Sequence, residues 1–186
     1  MKNINNVITI LFATLFLQVT YGQNPNWDPN GDSDALCVLN SYQAYEFNAS
    51  ITAKVFSGVD EFGDPLDVSG LGDMIAAFVD EEHRGVGCAD EVPVFLGNGF
   101  AYLTMIYSNQ LSGEELTFKY YDSSENTVYS TSNDGWDQDD VPETPYTQQF
   151  QSNMAIGDVT VPLVLTFIPG SGGEGPCDDI DEDGVC

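Results

Sequence analysis

From Tyr45 to Phe56 the chain reads YEFNASITAKVF, in which Phe47, Ala49, Ile51, Ala53 and Val55 alternate with Glu46, Asn48, Ser50, Thr52 and Lys54. Successive side chains of an extended strand point to opposite faces, so this period of two predicts a strand with one face on a core and one in water. Similar runs recur at short spacing. Met74 to Val79 (MIAAFV) is a compact apolar strand, and Arg84 to Cys88 is expected to return antiparallel to it across the tight connection Asp80-Glu81-Glu82-His83. Phe100 to Tyr107 follows the turn signal Gly97-Asn98-Gly99, and Glu115 to Tyr121 alternates again before a polar turn and Thr127 to Ser130. Val159 to Ile168 reads as the last strand, with Pro162 predicting an edge position or a bulge. After the N-terminal segment no window carries the i, i+3, i+4, i+7 apolar stripe of a helix. Many short strands between Gly, Asn and Asp turns predict an all-β, antiparallel β-sandwich of the immunoglobulin-like or jelly-roll-like sort.

The ends of the chain suggest where it works. Lys2 precedes the apolar, uncharged run Val7 to Val19, and Thr20 and Gly22 are small residues placed for cleavage before Gln23. That three-part pattern is a secretory signal peptide, and the run is too short to span a bilayer. Removing Lys2 leaves Lys54, Arg84 and Lys119 as the basic residues against 30 acids, in a chain whose formal charge is −26 with its signal. Nucleic acids and anionic membrane surfaces, which require basic patches, are therefore expected to be poor partners. The expected organisation is a signal peptide (1–22), an extended lead-in (23–44), a β-sandwich (45–168), a Gly/Pro linker (169–176) and an acidic tail (177–186). A linker leading to so short a tail suggests the N-terminal piece of a larger modular protein. Four cysteines in an exported chain (Cys37, Cys88, Cys177, Cys186) permit disulfides. Three pairings exist; the favoured one joins Cys37 to Cys88 and Cys177 to Cys186, with a bond from the tail to another chain as its rival.

The tail, CDDIDEDGVC, places Asp179, Asp181 and Asp183 at alternate positions ahead of Gly184. Alternating carboxylates in a tight loop converge on one centre, and the glycine permits the sharp bend; this opens many calcium loops. The bidentate acid that closes an EF-hand loop is missing, so the loop alone is expected to bind weakly. Asp134, Asp137, Asp139 and Asp140, in the long insertion Ser132 to Thr147, form a second candidate calcium cluster, and the series Asp28, Asn30, Asp32, Asp34 a third. Trp136, with Tyr146 nearby, offers an aromatic platform for sugar rings. Arg84, beside the sole histidine His83 and the acids Asp80, Glu81 and Glu82, is a candidate ligand contact, although a structural bond to carboxylates or carbonyls explains it better.

The Cys-flanked tail resembles the start of a thrombospondin type 3-like calcium repeat. The ordered elements Asp73 to Asp80 (DMIAAFVD), Arg84-Gly85-Val86, Tyr102-Leu103-Thr104 and Leu116 to Asp122 (LTFKYYD) resemble a β-sandwich module of large secreted surface proteins of bacteria with type IX secretion. The resemblance covers about residues 45–168 and implies a non-catalytic, adhesin-like module at the cell surface, with a protein or glycan partner. The C-terminal sorting domain usual for that export route is absent. Serine-hydrolase elbows, zinc-protease, P-loop and dinucleotide motifs are missing, and the lone histidine has no serine or cysteine partner in view, so no enzyme is expected. The alternative function is a carbohydrate-binding module of a secreted polysaccharide-degrading protein.

Overall fold

The computed structural model describes residues 25–27, 37–39, 41–59, 65–133 and 144–168. Its strands are β1 (Phe47–Val59), β2 (Pro65–Asp67), β3 (Met74–Val79), β4 (Glu82–Glu91), β5 (Phe100–Ser108), β6 (Ser112–Asp122), β7 (Thr127–Ser132), β8 (Thr147–Gln151), β9 (Ala155–Ile156) and β10 (Leu163–Phe167). Two short 3₁₀ turns, Tyr42–Ala44 and Val94–Leu96, are the helical pieces among the described residues.

The all-β reading holds, but the sandwich does not. Hydrogen-bonded order runs β10-β7-β6-β3-β4-β5-β1, and β1 then pairs in parallel with β10, closing seven strands into a barrel. The length of β1 makes this possible. Its first half lies antiparallel to β5, from Phe47 opposite Ser108 to Ala53 opposite Tyr102. Its second half takes β10 on the other side, from Ala53 opposite Leu163 to Phe56 opposite Thr166. Opening the sheet there would leave the free edges of β1 and β10 unpaired; closure satisfies them. The expected last strand starts late: Asp158 accepts bonds from the backbone of Thr160 (2.7 Å) and Val161 (2.8 Å), and strand pairing begins only after Pro162.

The alternation predicted for β1 is observed. Ala49, Ile51, Ala53 and Val55 are buried and join Ile75, Ala77, Ala89, Tyr102, Ile106, Leu116, Phe118, Tyr120, Phe150 and Leu165 inside the barrel. Small residues line the β3–β4 wall, where Gly85 and Gly87 pair with Ala77 and Ile75 and lie close against the β5 backbone; inside the barrel Tyr102 meets Tyr120 edge-on at 6.2 Å. The run MIAAFV is apolar throughout because both its faces are covered. Ile75 and Ala77 face the barrel core, whereas Met74, Ala76 and Phe78 belong to a second cluster outside it, with Val86, Tyr121 and Trp27. Strand β8 (TQQFQ) carries no sequence signal beyond Phe150, which is 1% exposed. Burying that one ring is worth about 2–3 kcal/mol, enough to commit a short polar segment.

Cys37 and Cys88 are joined, with Cα atoms 5.5 Å apart and a sequence separation of 51. On chain-entropy grounds such a link contributes about 4 kcal/mol.

Candidate functional site

Polar groups close both ends of the barrel. At the end formed by the start of β4 and the β5–β6 hairpin, the ladder between β3 and β4 slips: Ala77 faces Gly85 but Phe78 faces His83. Arg84 is the extra residue of that bulge, and a bulge re-aims the side chain it carries. Its guanidinium meets Glu114 of β6 in a fork, Nη2 to Oε1 at 2.9 Å and Nη1 to Oε2 at 3.3 Å. Nη1 also donates to the Tyr107 carbonyl at 3.4 Å, and Nη2 to Glu82 at 3.3 Å. The Ser108 hydroxyl donates to Glu114 as well. Side-chain exposure is 8% for Arg84 and 9% for Glu114, so both charges are removed from water and compensated by each other. Arg84 thus bonds across the barrel end, while its Nε has no partner.

Above the guanidinium lies Tyr45, ring centre 5.2 Å away, whose hydroxyl donates to Glu82 at 2.8 Å. Burial, and then the bond to Glu82, push this phenol above its ordinary pKa. Tyr107 stacks on Tyr45 with centroids 6.3 Å apart, and Tyr42 leans on Tyr107 at 5.8 Å. The result is a column, Arg84–Tyr45–Tyr107–Tyr42, whose outer end is Tyr42, 41% exposed. His83, next to Arg84, lies against Phe78 at 5.3 Å and donates from Nε2 to the Gly85 carbonyl at 2.9 Å. Burial lowers its pKa below that of a free imidazole, against the bond to the Gly85 carbonyl, which raises it.

Asp73, 2% exposed, organises the opposite end. Its Oδ2 accepts from the Tyr120 hydroxyl (2.8 Å) and Gly70 N–H (2.7 Å), and its Oδ1 from the backbone and hydroxyl of Ser123 (2.8 Å each). Four donors saturate the carboxylate and tie the loop before β3 to the turn after β6. Burial raises the pKa values of both Tyr102 and Tyr120 strongly. The Tyr102 hydroxyl lies near those of Ser69 and Tyr120 without a hydrogen bond of ordinary geometry to either.

Among the sequence candidates, the structure places Arg84, Cys37 and Cys88. Tyr146 packs on the core ring of Phe118 at 5.6 Å, which anchors it against the barrel. Trp136, Asp134, Asp137, Asp139 and Asp140, the Asp28–Asp34 series, the signal segment, and the tail with Asp179, Asp181, Asp183, Cys177 and Cys186 lie outside the described residues. Among the described residues, no three His, Cys, Asp or Glu side chains converge as a metal site would need. Sequence reasoning missed Glu114 and Asp73, two acids among 30; only the inward parity of Glu114 with Leu116 and Phe118 sets it apart. No protein-family model, curated protein or solved structure matches the chain.

Proposed function

We propose that the chain is a secreted, non-catalytic β-barrel module that engages a protein or glycan partner at the cell surface, with an acidic tail that binds calcium. One observation carries the scaffold part of this reading: the charged groups the barrel buries are spent on holding it together. Arg84 is held by Glu114, and Asp73 accepts four bonds. A catalytic site keeps such groups poised toward a substrate. Recognition then belongs to the surface and to the loops.

The glycan reading has its own support in the tyrosine column. Its open end, Tyr42, presents an amphipathic ring beside the exposed Gln43, the combination of apolar face and polar edge that suits a pyranose. The net charge of −26 favours neutral over anionic sugars. An array of neutral and acidic glycans probed with the whole chain is expected to show neutral glycans bound and anionic ones not, with the signal lost in Tyr42→Ala or Trp136→Ala. A blank array would sink the glycan reading and leave a protein partner.

Calcium is assigned to Asp179, Asp181 and Asp183. Calorimetric titration of the chain with calcium chloride should give a weak heat of binding, in the roughly 10⁻⁴–10⁻³ M range of extracellular calcium modules. The heat should vanish in the triple Asp→Asn variant. The Gly/Pro-rich stretch 169–176 separates these acids from β10, so the barrel's melting temperature should move little. No heat with the unaltered chain would remove calcium from the proposal.

A further inference from the structure

The β4–β5 connection is a braced turn with an apolar apex. Pro93, at φ −55°, leads into the 3₁₀ turn Val94–Leu96, and Gly97, Asn98 and Gly99 follow at φ 118°, 60° and 76°. Successive left-handed residues reverse the chain sharply, which glycine and asparagine tolerate. The turn is held from within: Leu96 N–H donates to the Pro93 carbonyl and Val92 N–H to the Gly99 carbonyl, each at 2.8 Å. It is also clamped from β1 and β2, where Lys54 Nζ donates to the Asn98 carbonyl at 2.6 Å and Asp67 accepts from Phe100 N–H at 3.4 Å. At the apex Val94 and Phe95 are 81% and 84% exposed, more than any other large apolar residue described.

A single exposed aliphatic side chain is ordinary. A phenylalanine held out on a turn braced at its base is not, because the ring gains nothing from its own barrel. Such a ring loses little conformational freedom when a partner receives it, which is what the anchor of a binding hot spot requires. Around the turn Asp67, Asp90 and Glu91 are exposed, and the one ammonium group bonded there, that of Lys54, is committed to Asn98.

We propose that this tip is the anchor by which the chain docks on a protein, with Phe95 entering an apolar pocket whose rim is basic. The inference rests on the protein-partner arm of the proposed function and gives that partner its chemistry. Charge decides the occupant. A second copy would set the same three carboxylates, in a chain of formal charge −26, against themselves. A lipid surface would bring headgroup phosphates to those carboxylates and bury only two apolar side chains in return. A basic rim complements them, fixes the register of docking and speeds encounter.

The test uses the whole chain and calixarenes, apolar cups that contain no sugar, bearing ammonium, neutral glycol or sulfonate groups on the rim. The ammonium cup should bind with chemical-shift changes centred on Val94 and Phe95, the glycol cup more weakly, and the sulfonate cup not at all. Phe95→Ser should weaken the ammonium cup about tenfold, the order expected for losing one buried ring. Leu103→Ser, at another exposed apolar site on β5, should leave it unchanged. Asp90→Asn with Glu91→Gln should bring the ammonium cup down to the glycol cup. All four side chains are exposed, so the variants should keep the circular dichroism of the parent. Ammonium-cup binding that ignores Phe95, or sulfonate-cup binding of equal strength, overturns the proposal. So does Phe95-dependent binding to vesicles of pure phosphatidylcholine, which makes the tip a lipid contact. A sedimenting dimer dissolved by Phe95→Ser overturns it too, making the tip a self-contact. The glycan array, read through Tyr42, tests the wider reading separately.

Discussion

Glu114→Ala is expected to destabilise the protein by about 3–5 kcal/mol, the usual cost of removing one partner from a buried ion pair. The alanine leaves the Arg84 guanidinium, 8% exposed, with a carbonyl at 3.4 Å, the largely exposed Glu82 and the Tyr45 ring to answer its charge. It also removes one of the two acceptors of the Ser108 hydroxyl, leaving the Gln110 carbonyl. Urea unfolding should show a lower midpoint with an unchanged slope, since the barrel topology survives. The double variant Arg84→Met with Glu114→Leu separates charge from shape. Replacing a buried pair by apolar groups of similar volume is often neutral or stabilising, so most of the loss should return. A Glu114→Ala protein within about 0.5 kcal/mol of the parent, the range of ordinary surface changes, would mean that the pair is not buried in solution.

Gly85→Ala should be nearly as damaging, at about 4 kcal/mol, which lies at the exceptional end for a single substitution. A Cβ at Gly85 would lie 2.1 Å from the Met105 carbonyl oxygen and 3.0 Å from its carbon. Both are backbone atoms of the neighbouring strand, so no side chain can swing aside; β4 and β5 must part at the point where Gly85 pairs with Ile106. Gly97→Ala is the control. Its methyl meets nothing within 4 Å, and the cost is confined to the positive φ of 118°. About 1 kcal/mol is expected there. Equal thermal stabilities for the two variants would contradict the close strand approach.

These two residues also measure how far the sequence could be read. Gly85 was visible only as part of a predicted return strand; nothing in RGVG says which glycine lies against a backbone. Arg84 was legible as a structural residue, but the acids nominated for it were its neighbours Asp80, Glu81 and Glu82. Of those, only Glu82 bonds it, and the main partner, Glu114, lies 30 residues away. A strand bulge re-aims the side chain across the barrel end, and a one-residue slip leaves no mark in composition. Strand β8 was missed because four of its five residues are polar, and tertiary burial of Phe150 outweighs that propensity.

The sequence by itself determined the local features: the extended conformation of β1, β3, β5 and β6, which face of β1 turns inward, and the turns at Asp80 and at Gly97-Asn98-Gly99. Each depends on neighbouring residues. The tertiary structure alone decided that the sheet closes. Alternation inward and outward is the same in a sandwich and in a barrel, and the deciding contact is the parallel pairing of Ala53–Phe56 with Leu163–Thr166, more than a hundred residues apart. It decided likewise that Trp27 and Cys37 belong against the outer face. That covering is why MIAAFV is apolar on both sides, a pattern the sequence displayed without revealing what lay across from it.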